Sequence, residues 1–517
     1  MKSLITKRQL LFVILVLLCG INPIYADTSK ELYVSPGNLS SLLPEGERFE
    51  ITDLTLSGRL DISDLEVIRQ MGRCYNFDRP GSRYNGHLRY LDLSNAEFVG
   101  DGTFKSHIGN YTYIGLHLNY GSGEYLFSDM KSLHTIKLPN SLEIMGNWLF
   151  VGCDSLTSVT LPKSLKTLPD QTLETLVEQN DNLTSILIDD SNPYYSSDGS
   201  ALFDKYKTEM LYAVKSLREY AIPSSVSEIR EIAFHNCRHL KTLVLPLRLK
   251  RGNVANRFID CDSLYSISVD EKNPYLCSDG SVLYNKNKST LFFVCHTVRK
   301  MSIPSSVTMI GKYAFSKCTN LTSIELPSGV TSIGYDAFEG CTNLSSLTLP
   351  SGVKEIWPST FEGCKSLTSV TLPSGVERIK YSAFNGCESL RSITLPSNVK
   401  EIGSNAFSGC KGLTSIYAFM EKPCIIDETT FDYETLINAT LYVPKGSLLD
   451  YWDDNQWKKF MNIEEFDATS IGSLNTNAND IQEVSRYSDN GQRLNTPAKG
   501  LNIVKYNNGT VKKIMVK

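Results

Sequence analysis

The sequence predicts a solenoid: stacked 23-residue coils with a parallel β-ladder, β-hairpin insertions and a small C-terminal β-module. Three observations predict it. Cys318, Cys341, Cys364, Cys387 and Cys410 follow one another at 23-residue steps. Phe315, Phe338, Phe361, Phe384 and Phe407 keep the same step three residues ahead of each Cys, as do Pro327, Pro350, Pro373 and Pro396. The chain is also long, at 517 residues, which calls for an elongated array or several domains rather than one core. A composition of 41% hydrophobic and 21% charged residues excludes wholesale disorder.

One coil shows why the period folds. In Leu344-Ser345-Ser346-Leu347-Thr348-Leu349-Pro350, Leu347 and Leu349 alternate with polar neighbours, the periodicity of a strand. Pro350 ends it, having no N–H for a ladder. Val353 and Ile356 then return inward three residues apart, the spacing of a tight helical turn. Phe361 fills the interior, Gly363 permits a sharp bend and Cys364 is a small apolar plug. One coil cannot close a core, but stacked coils can, with strands about 4.8 Å apart.

The full pattern, L-x-x-L-x-L-P-x-x-V-x-x-I-x-x-x-A-F-x-G-C, resembles the BspA-like class of bacterial leucine-rich repeats. Its Ala column holds at Ala314, Ala337, Ala383 and Ala406 but becomes Thr360. The resemblance implies a leucine-rich-repeat solenoid that acts at a bacterial cell surface. It further implies an adhesin-like role, binding host matrix glycoproteins or other cells.

Earlier coils are looser. Phe150 with Cys153, Phe234 with Cys237, and Phe258 with Cys261 continue the pairing. A longer repeat overlies them: Asn192-Pro193-Tyr194 and Asn273-Pro274-Tyr275 lie 81 residues apart, as do Pro223 and Pro304. Each is followed by Ser-Asp-Gly-Ser, at 197–200 and 278–281, and by aromatics: Phe203, Tyr206 and Tyr212 in one, Tyr284, Phe292 and Phe293 in the other. These segments read as β-hairpins that project from or widen the solenoid.

The remaining organisation follows from what departs from the period. Residues 1–26 read as a signal peptide: Lys7 and Arg8 precede the apolar run Leu10–Leu18, too short to span a bilayer, and Ala26 suits cleavage before Asp27. Lipid attachment at Cys19 is the alternative, disfavoured by Leu18. Residues 27–125 read as an N-terminal capping region, with helical spacing at Ile62, Leu65, Ile68 and Met71. Residues 126–420 are the repeat solenoid, and 421–466, with Tyr451 and Trp457, its C-terminal cap. Residues 467–481, rich in Ser, Thr, Asn and Asp, read as a linker. Residues 482–517 read as a hairpin module around Asn508-Gly509, resembling a type IX secretion sorting domain through Gly491-Gln492-Arg493 and the Gly500 strand; a plain closing β-module is the other reading. The expected location is secreted or on the cell surface, with no transmembrane segment in the mature chain.

Net charge is −4, and about −7 without the basic first 26 residues, which disfavours nucleic acid as a partner. Eight cysteines share one repeat column, so buried thiols are expected, with disulfides between stacked neighbours the alternative. No Cys-x-x-Cys pair supports zinc, and His235 with His239 lacks a third ligand in sequence. No nucleophile elbow, P-loop or zincin motif occurs, so neither a cofactor nor catalysis is expected, and a hydrolase is the weakest reading. What remains is a binding surface. Ser323, Ser346, Ser369 and Ser392 form one outward column, and Glu325, Thr348, Thr371 and Thr394 a second. Small hydroxyls do not make hot spots unaided, so Tyr206, Tyr212, Tyr284 and Phe292 of the insertions join them as candidates. The expected partner is an extracellular protein or glycoprotein, with a glycan as the alternative if the tyrosines form flat platforms.

Overall fold

The computed structural model describes residues 27–467 except 77–78, 80, 100–104, 109–110, 115–124, 171, 174–175, 177–179 and 251–253, and in the tail 483–488, 493–494, 496, 499–506 and 511–516. The expected signal peptide, the linker beyond residue 467, Asn508-Gly509 and Gly491-Gln492 lie outside the described residues. The chain divides into two units: residues 1–217 with 232–237, and residues 218–231 with 238–517.

In the first unit a parallel sheet runs through Ser29–Val34, Asp53–Leu60, Tyr90–Phe98, Thr135–Lys137, Ser158–Leu161 and Ser185–Ile188, in chain order. The ladder therefore begins far ahead of the regular period: Ser29 pairs with Asp53, Asp53 with Tyr90, and Tyr90 with Thr135. The apolar positions at Ile62, Leu65, Ile68 and Met71 belong to a helix, Ile62–Met71. Asp61 starts it by accepting from the Ser63 and Asp64 backbone N–H groups, while Asp64 accepts from the Asp61 N–H, a reciprocal cap. Gly58 has φ +94°, and a Cβ there would stand 2.3 Å from the Val34 carbonyl oxygen. Asp92 is held by Lys137 at 2.8 Å and by the hydroxyls of Ser94 and Tyr90. Burial opposes its charge, but these donors outweigh burial and hold the carboxyl at about 2.

The second unit carries the regular coils, and each contributes to two parallel ladders. The first ladder pairs Glu219–Ala221, Thr242–Leu245 and Ser266–Val269; Lys300–Ser302 with Ser323–Glu325; Ser346–Thr348 with Ser369–Thr371; and Ser392–Leu395, Ser415–Ala418, Thr440–Pro444 and Asn462–Phe466. The second is made of two-residue strands: Met309–Ile310 with Ser332–Ile333, and Glu355–Ile356, Arg378–Ile379 and Glu401–Ile402 in turn. This corrects the helical turn expected after each proline. Val353 and Ile356 do point inward, but Ile356 sits in a parallel ladder beside Ile379.

Phenylalanine rings occupy the axis of this unit. Phe315, Phe338, Phe361, Phe384, Phe407 and Phe431 stack consecutively at centroid separations of 4.7, 5.5, 5.2, 5.3 and 5.2 Å. The cysteines beside them are fully buried. The thiols of Cys341, Cys364, Cys387 and Cys410 donate to the Phe carbonyl of the preceding coil at 3.1–3.2 Å. Thr360 fits the Ala column because its hydroxyl donates to the Trp357 carbonyl. The turn after each second strand contains two left-handed residues. One is the residue before Cys, glycine at Gly340, Gly363, Gly386 and Gly409 but Lys317 ahead of Cys318; the other lies five residues before Cys and is not glycine, as at Asp336, Ser359, Ser382 and Asn405.

The stack of rings ends on Trp457 and Phe460, both packed against Phe431. Trp457 and Tyr451 are fully buried and donate to the carbonyls of Cys424 and Met420. In the tail, Gly500–Tyr506 and Val511–Val516 form the expected antiparallel hairpin, and Glu483–Ser488 adds beside the first of them.

Candidate functional site

The strand period places alternate residues of the first ladder outside. Ser323, Glu325, Ser346, Thr348, Ser369, Thr371, Ser392 and Thr394 are all exposed, while Ile324, Leu347, Val370 and Ile393 between them are buried. Ser346 is in register with Ser369 and Thr348 with Thr371, so the hydroxyls form straight columns. At the C-terminal end the first column continues as Ser415 and Thr440, while the second changes character. Thr394 is in register with Tyr417, and Tyr417 with Tyr442. The two tyrosine rings stack at 4.7 Å, and Phe466 meets Tyr417 edge-on. Burial raises the Tyr417 hydroxyl above its ordinary range, so it stays a neutral donor at physiological pH. This half-buried pair was absent from the sequence reading. The repeat step lengthens from 23 to 25 residues between Ser415 and Thr440, which hides the column from a fixed-period search.

The insertions present only some of the aromatics expected of them. Each is a three-stranded antiparallel meander rather than a projecting hairpin: Tyr195–Ser197, Ala201–Asp204 and Glu209–Ala213 in the first, Leu276–Ser278, Val282–Asn285 and Thr290–Val294 in the second. Tyr212 is 1% exposed and Tyr284 0%, so both are core residues and are withdrawn as ligand anchors. The physical reason is that these strands are buried on both faces: Met210, Leu211, Tyr212 and Ala213 are all interior. Phe292 is half-buried, and Tyr206, at the turn, is 81% exposed. The insertions therefore widen the core. The Asn-Pro-Tyr motif fastens them. Asn273 is fully buried; its Nδ2 donates to the carbonyls of Pro246 and Leu249, and its Oδ1 accepts from the N–H groups of Tyr275 and Leu276. Asn192 makes the corresponding bonds to Pro162, Lys163, Leu165, Tyr194 and Tyr195.

Outside the second ladder lies a charged strip. Arg378 pairs with Glu355 at 2.7 Å and Lys400 with Glu377 at 2.6 Å. Glu355, Glu377 and Arg378, with Trp357, which is 41% exposed, line a cleft of about 440 Å³. The column thiols offer no nucleophile. Burial pushes Cys410 up to about 12 and Cys364 well above the ordinary thiol range. His235 is half-buried and His239 exposed. Among the described residues no three of His, Cys, Asp or Glu gather as metal ligands, and no helix is long and apolar enough to cross a membrane.

A family model for the BspA type leucine-rich-repeat region matches residues 97–198, 204–280, 285–414 and 356–481, in six copies. No curated protein matches the chain. Among solved structures, it is similar to a leucine-rich cell surface protein of Faecalibacterium prausnitzii A2-165, with 22% identity over 65% of this chain and 89% of that one and a TM-score of 0.40. It is similar to a leucine-rich-repeat protein of T. pallidum, with 33% identity over 26% of this chain and 67% of that one and a TM-score of 0.25. It is also similar to the pneumococcal vaccine antigen PcpA, with 14% identity over 86% of this chain and 90% of that one and a TM-score of 0.31.

Proposed function

The chain belongs to the BspA-type leucine-rich-repeat family, whose model matches most of its length, and on that premise we propose that it is an exported, surface-acting protein that binds an extracellular protein or glycoprotein without turning it over. The observation that carries the proposal is the in-register polar face of the second unit. Eight exposed side chains, from Ser323 to Thr394, stand in two columns, of which the second leads from Thr394 onto the Tyr417–Tyr442 stack. Hydroxyl columns give many weak, replaceable contacts, and the tyrosine pair gives a desolvated aromatic anchor at one end. Host matrix glycoproteins are the first ligands to try. The signal peptide and the sorting-like tail belong to the same proposal, as its route to the surface.

The test is surface plasmon resonance of the full chain on immobilised fibronectin-like and fibrinogen-like glycoproteins. Thr371→Ala alone should change affinity less than twofold. Tyr417→Ala with Tyr442→Ala should weaken it at least tenfold, the loss expected for an aromatic hot spot. Absence of binding to every matrix protein, or a ligand consumed with time, contradicts the proposal.

A further inference from the structure

A second surface departs from the polar, charge-balanced character of the coils. In the second unit Arg248 and Lys250 follow a strand of the first ladder, and Lys272 with Pro274 and Tyr275 opens the second insertion. Together with Ser227 they line a cleft of about 500 Å³, within the ~300–1,000 Å³ range of small-ligand sites. Arg248, Lys250, Lys272 and Pro274 are exposed, and Tyr275 is 46% exposed. Among the described residues no carboxylate lies within 4.0 Å of any of the three cations, although the chain carries a net charge of −4. Asp270 and Glu271 line an adjoining hollow that shares Lys272, not the cleft itself.

The first insertion supplies an internal comparison. There Lys166 holds the place of Lys250, since each donates its backbone N–H across to the preceding coil: Lys166 to Glu143 and Lys250 to Ser227. In the first unit the side chains complete the pair, with Lys166 and Glu143 at 2.7 Å. In the second unit the acid has become Ser227, so Lys250 lacks its carboxylate, and Arg248 and Lys272 add two further charges. The same frame is thus neutralised in one place and left cationic in the other.

We propose that this cleft binds an acidic polysaccharide. The three cations hold sulfate or carboxylate groups, and Tyr275 and Pro274 pack against the C–H face of a pyranose ring. Cations alone would accept any polyanion. The exposed ring in the wall selects a ligand with both charge and an apolar face. The inference rests on the reading of this chain as a surface-binding protein only for where such a ligand is met; the site and its chemistry are measured on the purified chain.

Isothermal titration of the full chain with a heparin hexasaccharide, a homogalacturonan hexasaccharide, neutral dextran and linear polyphosphate tests it. At least one acidic glycan should bind, weaker as salt is raised, and dextran should not. Whichever acidic glycan binds identifies the charged group. Ser227→Glu, which restores the missing acid, should weaken binding at least fivefold, and Lys250→Ala with Lys272→Ala at least tenfold, each with an unchanged melting temperature. Tyr275→Ala should weaken the glycan and spare polyphosphate. Neither acidic glycan binding, or both cleft variants binding as wild type, overturns the proposal. So does a Tyr275→Ala variant that binds glycan and polyphosphate as wild type does. Tyr417→Ala with Tyr442→Ala should leave glycan affinity untouched, so failure of this cleft and failure of the matrix-binding face are separable.

Discussion

Removing one ring from the axial stack is the sharpest test of how the coils hold together. Phe361 is fully buried between Phe338 and Phe384, at 5.5 and 5.2 Å with interplanar angles of 17° and 15°. Phe361→Ala deletes a ring that two coils share as a contact. A buried Phe→Ala change costs ~3–5 kcal/mol through lost transfer energy and the cavity left behind. The two flanking aromatic pairs each add about 0.5–1.5 kcal/mol beyond area. Neighbouring rings can relax into part of the gap, so a total of about 4–6 kcal/mol is expected. A coil in a repeat array is coupled to its neighbours alone, so the loss falls at one junction. Urea unfolding followed by circular dichroism and by tryptophan fluorescence reads both consequences. The midpoint should fall, and the two probes should separate, because Trp357 belongs to the damaged coil and Trp457 closes the far end. Phe361→Leu, which keeps most of the volume, should cost about 1–2 kcal/mol. A loss below about 2 kcal/mol for Phe361→Ala, with a single coincident transition, would refute the stacked-axis account.

Three further outcomes follow from the core. The column thiols, raised by burial, should resist alkylation in the native protein and react fully after denaturation, and Cys364→Ser should cost roughly 1–3 kcal/mol, since a hydroxyl is dearer to bury even with the Phe338 carbonyl as acceptor; rapid native labelling would contradict this. Asn273→Ala removes four hydrogen bonds from a fully buried side chain and leaves two carbonyls and two N–H groups to find other partners; a loss of about 2–4 kcal/mol in thermal unfolding, with the second insertion opened to limited proteolysis, is expected. Asp92 has its pKa depressed to about 2, so its contribution is fully present above about pH 4 and is lost as pH falls through about 2; wild type should lose on the order of 1–2 kcal/mol over that interval after allowance for the half-exposed Lys137, and Asp92→Asn should flatten that limb of the stability–pH curve.

What was legible in the sequence was whatever repeats with identity. Phe, Cys and Pro recur at fixed steps because each occupies one place in the coil: the ring on the axis, the thiol under a carbonyl, the end of the first strand. What was missed recurs in geometry and not in residue type. Asp336, Ser359, Ser382 and Asn405 all adopt the left-handed conformation five residues before Cys, yet no one residue type fills the position. Glu355–Ile356 and Arg378–Ile379 are strands of two residues, too short to show alternation, so the inward Val353 and Ile356 resembled a helical turn. Tyr212 and Tyr284 were misplaced because strands buried on both faces lose the period-two signal that would have marked them as interior. The polar columns were readable because their strands are buried on one face only. The Tyr417–Tyr442 stack and the cationic cleft depend on pairings between residues at irregular separations, which no single period reveals.

The central claim is that ligand binds along the first ladder of the second unit. Hydroxyl-radical footprinting of the full chain, alone and saturated with the matrix glycoprotein it binds best, tests it directly. Oxidation of Tyr417 and Tyr442 should fall together, while Trp357 beside the second ladder and Tyr206 in the first insertion keep their rates. Protection centred on Trp357 or Tyr206, with Tyr417 and Tyr442 oxidised as in the free chain, would contradict the account.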